Sequence, residues 1–525
     1  MNCQPSSLGE RRLSAARADL PATHPHDRVL MGGRTMHRGS TRLVRAVILA
    51  ALVLCGCATV APVNVPVGRV EPETGYRIAK LLGRHRGPAN NPDALLFLAF
   101  SGGGTRAAAL SYGVLEELRR TPIWVRGHQH SMLDEVDLVA GVSGGSFTAL
   151  AYALYGERLF DEYQDRFLKR NVQGELIQRI LNPANWPRLA RDGYGRSELA
   201  ADYYDEILFG GATFSDLIPL DAPVVVVTGT DLSTGARFEF SQDTFDLLCS
   251  DLGSVRLARA AATSSAVPVL LSPVTYRNYG GKCNAMLPIW VQDVANKEHA
   301  ARPAGRALLR YRDFKALEDS ATRPYLHIVD GGVSDNLGLR GMLEAFEQLE
   351  SSPGFQHEMR FSELRHIVVI AVNSRSAPAT DWDRKTAPPS IVSQLIQASS
   401  VPIDHFSFES VELLRDMAAR WADRRELEIA RRVDAGQSRT EAETAVPKIT
   451  FDAIDVSFDA IEDPEERREF MEMPTTFFLP PESIDRLREL GGRLLRDSRP
   501  YQILLQRIAE LAKRDAPSPV TPVPR

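Results

Sequence analysis

The run Ala94-Leu95-Leu96-Phe97-Leu98-Ala99-Phe100 stops abruptly at Ser101-Gly102-Gly103-Gly104. A strand that is apolar at every position has no face for water. It must lie inside a sheet covered on both sides, and such sheets are built mainly from parallel strands with helices above and below. Residues 107–120 then have helical composition, with Leu110, Val114, Leu115 and Leu118 on one face. A second unit repeats the order: 136–140 as strand, Gly141-Val142-Ser143-Gly144-Gly145 as turn, and 146–155 as helix. Further strands are predicted at 223–229, 238–241, 326–330 and 366–372, with helices between several of them, 337–350 being one. This alternation predicts an α/β fold of three layers with a mostly parallel central sheet, whose functional residues lie at the carboxyl ends of strands. Beyond about residue 380 the chain reads as mainly helical, with one strand candidate at 448–458 and late helices at 481–497 and 501–515.

Three glycine-flanked sites carry chemistry. Gly141-x-Ser143-x-Gly145 between a strand and a helix has the form of a nucleophile elbow, a strained turn that exposes a serine Oγ above a helix N-terminus. The bland alternative is a tight turn with a bystander serine. Gly102-Gly103-Gly104 supplies backbone N–H groups with no Cβ to block approach, as an oxyanion-stabilising loop requires. Gly102-x-Gly104-x-x-Ala107 also fits the dinucleotide fingerprint. That reading needs an acidic residue ending the next strand, and here the strand ends Ala140-Gly141-Val142-Ser143. Asp330-Gly331-Gly332 closes another apolar strand, either as a turn former or as a base.

A serine nucleophile usually takes a histidine base oriented by a carboxylate. Of the 11 histidines, His327 lies three residues before Asp330 and so on the other strand face, and His366 begins a strand. His405, in a predicted loop beside Pro402 and Asp404, is the one left for a triad.

The ordered set Gly102-Gly103-Gly104-Thr105-Arg106, Gly141-Val142-Ser143-Gly144-Gly145 and Asp330-Gly331-Gly332 resembles patatin-like phospholipases across residues 95–373. The resemblance implies a patatin-like α/β fold and a lipid acyl hydrolase of phospholipase A or lysophospholipase type. It implies Ser143 as nucleophile, Asp330 as base in a Ser–Asp dyad, and Gly102, Gly103 and Gly104 with Arg106 around the oxyanion. Gly141 and Gly145 would shape the elbow, and Gly331 and Gly332 the base motif. The Ala/Ser-rich segment 258–268 looks like the family's helix beside the site. Ser101 stands where the family often has Asp. No cofactor is implied, and no His/Cys spacing suggests a metal. Two other classes stay open: an α/β-hydrolase esterase with Ser143 and His405, and a non-catalytic envelope lipoprotein.

The N-terminus reads as an address. Residues 1–35 are polar and without apolar periodicity, an extension that is disordered or untranslated. From Met36 a basic stretch, an apolar run at 46–54 and Leu54-Cys55-Gly56-Cys57 follow in the order of a secretory signal. The ending resembles the lipobox of bacterial lipoproteins, which would make Cys57 the lipidated first residue. Ala58 in place of Asp then points to the outer membrane, facing periplasm or surface. The remaining divisions are a Pro/Gly-rich tether at 58–92, a hydrolase domain at 93–380 and a helical region at 381–525. After export, Cys249 and Cys283 form the pair available for a disulfide, two free thiols being the alternative.

With 62 Lys+Arg against 67 Asp+Glu, a net charge of −5, and no basic stripe interleaved with aromatics beyond the N-terminus, nucleic acid is excluded as a partner. The expected partners are membrane lipid as substrate and the membrane itself through the anchor.

Overall fold

The computed structural model describes residues 64–85, 91, 93–268, 270–289, 291–292, 305–360, 363–377, 382–446 and 448–515. The signal and Cys57 lie outside the described residues. The strands are β1 (Ala94–Phe100), β2 (Pro122–Val125), β3 (His128–Ser131), β4 (Val136–Val142), β5 (Val224–Asp231), β6 (Arg237–Glu239), β7 (Val274–Arg277), β8 (Tyr325–Asp330), β9 (His366–Asn373) and β10 (Thr450–Ser457). The helices that matter here are α1 (Gly104–Arg120), α2 (Gly144–Tyr155), α3 (Leu257–Ser264), α4 (Leu339–Ser351), α5 (Ile391–Asp434), α6 (Pro481–Asp497) and α7 (Arg499–Asp515).

The large sheet runs β10-β9-β1-β4-β5-β8-β7, with β6 beside β5. The five strands from β10 to β5 are parallel, and β6, β7 and β8 pair antiparallel. The all-apolar strands lie in the parallel block: every residue of β4 is buried, and so is every residue of β9 after His366. Helices cover them, as the absence of a polar strand face demands. No helix among the described residues is long and apolar enough to cross a membrane.

Two expectations change. Residues 64–85, read as tether, dock on the domain. Tyr76, Leu81 and Leu82 are buried, and the Tyr76 hydroxyl accepts the Val225 N–H at 2.7 Å. Three large apolar side chains recover burial free energy that a Pro/Gly count does not register. The boundary expected near residue 380 is not a boundary in space. The 381–525 region is mainly helical, but its one strand, β10, extends the sheet beside β9, and the Gly113 backbone of α1 packs directly on the Arg488 backbone of α6. Cys249 and Cys283, both buried, are joined in a disulfide with Cα atoms 5.5 Å apart. Closing a loop of this length restricts the unfolded chain by roughly 3 to 4 kcal/mol.

The register places the three glycine-flanked sites. Phe100 of β1 is level with Gly141 of β4 on one side and Val372 of β9 on the other. The glycine loop therefore leaves the sheet between Ser143 and Ser374. Across β4, Val142 pairs with Thr228, and the next β5 residue, Gly229, pairs with Asp330. Strand β8 arrives antiparallel, so its carboxyl end meets the carboxyl ends of the parallel strands head-on, with Asp330 at the level of Ser143.

Candidate functional site

Ser143 occupies the turn between β4 and α2 at φ 48° and ψ −118°, a conformation disfavoured for a residue with a Cβ. The surroundings hold it there. Its N–H donates to Ser264 Oγ at 2.8 Å, and its carbonyl accepts from the Ser146 N–H and hydroxyl at 3.1 and 2.6 Å. Ser264 ends α3, in the Ala/Ser-rich segment. The same segment fixes the opposite partner, since Asp330 N–H donates to Ala266 O and Gly331 N–H to Ser264 O. One helix end thus sets the spacing of both side chains.

The result is a direct contact: Ser143 Oγ donates to Asp330 Oδ2 at 2.9 Å. Asp330 Oδ1 accepts the Gly332 N–H at 2.8 Å. Burial pushes the carboxyl up to about 6, against the lowering effect of those two donors. An O–H donating into a buried, basic carboxylate is arranged for proton transfer. His405 does not take part in this contact. It sits on the exposed side of α5 rather than in a loop, and among the described residues no histidine is hydrogen-bonded to Ser143 or Asp330.

The glycine loop lies against the elbow. A Cβ on Gly102 would sit 3.2 Å from the Ser143 Cβ, and Gly103 has φ 141°, open only to glycine. Two expected members of the oxyanion set are engaged elsewhere. Gly102 N–H donates to Asn336 O at 2.9 Å. Arg106 is buried, with Nε on Ser374 O at 2.8 Å, Nη1 on Met473 O and Nη2 on Thr475 Oγ1 at 3.0 Å. Its guanidinium ties the C-terminal segment over the loop instead of facing Ser143, a use that depends on carbonyls more than 260 residues away and that no local motif encodes. Gly103, Gly104 and Gly144 remain as sources of N–H donors. Gly144, the residue after the elbow serine, is not named as a donor in the sequence analysis, although elbow geometry offers its N–H as a candidate.

The dinucleotide alternative meets a physical obstacle. The Thr476 carbonyl accepts the Thr105 N–H at 2.8 Å and lies against Gly104, so protein fills the space before α1 where a pyrophosphate would bind.

Fold and site together define an α/β domain of the nucleophile-elbow class. Residues 98–343 match the family model described as Patatin-like phospholipase. No curated protein matches the chain. Among solved structures, the chain is similar to human GIVD cytosolic phospholipase A2, at 14% identity and a TM-score of 0.37 over 83% of this chain. Complexes of that human protein with methyl gamma-linolenyl fluorophosphonate, alone or with terbium chloride, give 14% and 13% identity, TM-scores of 0.38 and 0.37, and 83% and 86% coverage. The chain spans 63%, 63% and 66% of the length of those three structures.

Proposed function

We propose that the protein is a lipid acyl hydrolase of phospholipase A or lysophospholipase type, working through a Ser143–Asp330 dyad and an acyl-enzyme. The observation that carries the reading is the 2.9 Å hydrogen bond from Ser143 Oγ into Asp330. As Oγ bonds to the ester carbonyl carbon, its proton passes to Asp330 Oδ2, and the N–H groups of Gly103, Gly104 and Gly144 receive the negative carbonyl oxygen. Asp330 returns the proton to the leaving alcohol. Water then attacks the acyl-enzyme, giving up a proton to Asp330, and the fatty acid leaves as Ser143 regains its hydrogen.

Apolar surface around the site supports a lipid substrate. Val333, three residues past Asp330, is 40% exposed, and Phe478, two past the carbonyl on Gly104, is 42% exposed. Phe406 on α5, beside the Ser407 hydroxyl that contacts the Asn336 amide, is 46% exposed. Large apolar side chains left in water from three separate segments around one site mark a surface for apolar ligand.

The test is fatty-acid release from a mixture of phospholipid, lysophospholipid and neutral ester, wild type beside Ser143→Ala. The wild type should release acid and the variant should not; equal release by both would overturn the reading.

We also place the protein on a membrane of the cell envelope through lipid on Cys57, on the order of basic, apolar and Gly-Cys segments. Each buried CH₂ of an acyl chain adds about 0.8 kcal/mol, so several chains hold firmly. Cys57→Ser should move the protein to the soluble fraction or stall its processing. Unchanged fractionation and mature mass would end the claim.

A further inference from the structure

Between Arg179 and Arg188 the chain carries no charge: Ile180-Leu181-Asn182-Pro183-Ala184-Asn185-Trp186-Pro187. Its large apolar side chains are left in water. Leu181 is 66% exposed and Trp186 56% exposed, and Ile177, one helical turn before Leu181, is exposed with them. The acyl-transfer steps above do not use this tip, and exposed apolar groups gathered in one segment mark a contact surface.

The tip holds its shape through its own hydrogen bonds. It follows the helix Val172–Leu181. Asn182 N–H donates to Gln178 O at 3.0 Å, Ala184 N–H to Asn182 Oδ1 at 3.1 Å, Asn185 N–H to Asn182 O at 3.0 Å, and Trp186 N–H to Pro183 O. Pro183 and Pro187 have no N–H to satisfy. Side chains take two of the helix's last carbonyls: Asn185 Nδ2 donates to Arg179 O at 2.8 Å, and Trp186 Nε1 to Ile180 O at 3.3 Å. Every backbone N–H from Asn182 to Pro187 is therefore bonded inside the tip or absent. The flanking charges are settled on the body of the protein, Arg179 on Glu206 and Arg188 on Asp202. Such a tip enters the interface of a bilayer without stranding a charge or a backbone donor. Tryptophan, with an apolar body and one polar atom, suits that depth.

The tip is tied to the site. Gln173 N–H, at the start of the helix, donates to Phe477 O, and Phe477 N–H donates to Gln173 Oε1, each at 3.1 Å. The Phe477 ring stands edge-on to Phe147 of α2 with centroids 5.5 Å apart, and the neighbouring Thr476 carbonyl lies against Gly104. The ten-residue helix, about 15 Å long, then leads from this junction to Leu181. Exposed Phe478 stands at the near end and exposed Trp186 beyond the far end. The start of the chain bears on the occupant as well. Asn64 is pinned, its Nδ2 donating to Ser250 Oγ at 2.8 Å and to Arg277 O at 2.9 Å. The residues from Cys57 to Asn64 reach at most about 25 Å, so lipid on Cys57 would keep the domain within that distance of a bilayer.

We infer that residues 180–187, together with Ile177, dock the protein on the lipid surface that holds its substrate, with Leu181 and Trp186 entering the interface. The choice of lipid as occupant rests on the hydrolase reading and on the Cys57 anchor; the shape and exposure of the tip do not.

The experiment mixes the full chain with phosphatidylcholine vesicles that carry bromine on the acyl chains near the head group, and reads tryptophan emission for wild type, Trp186→Phe and Leu181→Glu. Bromine quenches an indole that it meets. Wild-type emission should be quenched relative to unbrominated vesicles, and Trp186→Phe should abolish that quenching. Leu181→Glu should weaken the quenching and lower hydrolysis of vesicle phospholipid by about tenfold, while a dissolved short-chain ester is hydrolysed at the wild-type rate. Quenching that persists in Trp186→Phe, or equal losses on vesicle and dissolved ester in Leu181→Glu, would overturn the assignment. An unquenched wild type whose dimer Leu181→Glu dissociates would overturn it too, making the tip a contact between copies. If wild type is quenched through Trp186 but releases no fatty acid, the docking stands and the hydrolase reading falls on its own. If it releases fatty acid without quenching, the docking alone falls.

Discussion

Asp330→Asn will lower kcat/KM on a soluble ester by about 100- to 10,000-fold, and adding Ser143→Ala will cost little more. Asparagine keeps the shape of the turn and the acceptor for the Gly332 N–H, but it cannot take the Ser143 proton. Residues that act as one unit are non-additive, so the double variant tests whether Asp330 works through Ser143. The pH dependence gives the same test in the unmodified protein. The base works only when ionised, so kcat/KM should fall with unit slope below pH about 6, where burial has moved Asp330, and level off above it.

Stability should move the other way. The native carboxyl holds its proton more tightly than the unfolded one. Between the ordinary Asp value and about 6, stability therefore decreases as pH rises, by about 3 kcal/mol in all. At pH 8 the Asn variant should accordingly melt at or above the wild-type temperature while being nearly inactive. A variant that loses activity and stability together would point to a structural role for Asp330.

Gly103→Ala should reduce kcat by about 100- to 1,000-fold with a small change in KM. At φ 141° an alanine is strained, and relief requires the loop to turn. Its new Cβ would also crowd the Ser374 hydroxyl and the Arg106 guanidinium that hold the loop. Turning the loop withdraws the Gly103 N–H from the place where the oxyanion forms, and one such donor is worth about 3 to 4 kcal/mol in the transition state. Because the interaction exists only in the transition state, substrate binding should be nearly unaffected. Steady-state kinetics beside a thermal melt check this; unchanged kcat in a folded variant would remove Gly103 from the site.

Much of this was legible from pattern. The all-apolar strands and the helices after them came through because burial on both faces leaves no ambiguity of period. Observed β10 (Thr450–Ser457) falls within the predicted 448–458, and observed β8 (Tyr325–Asp330) extends the predicted 326–330 by one residue. The hairpin β2–β3 was missed because His128-Gln129-His130-Ser131 has no apolar alternation, and β7 because four residues are too few for a period. Strand direction was not legible at all. That β8 runs against its neighbour follows from tertiary pairing, and with it the meeting of Asp330 and Ser143. Arg106 and Gly102 were assigned from their place in a motif, but their partners, Met473, Thr475 and Asn336, come from far along the chain. Local sequence proposes which groups can do chemistry; only the fold decides which N–H groups remain free to do it.

The most direct measurement is covalent capture. An alkyl fluorophosphonate should add to wild-type protein once, on the peptide containing Ser143, with a rate that Asp330→Asn lowers by about two orders of magnitude or more and His405→Ala leaves unchanged. Labelling of Asp330→Asn at the wild-type rate, or its loss in His405→Ala, would contradict the dyad and put a histidine in its place.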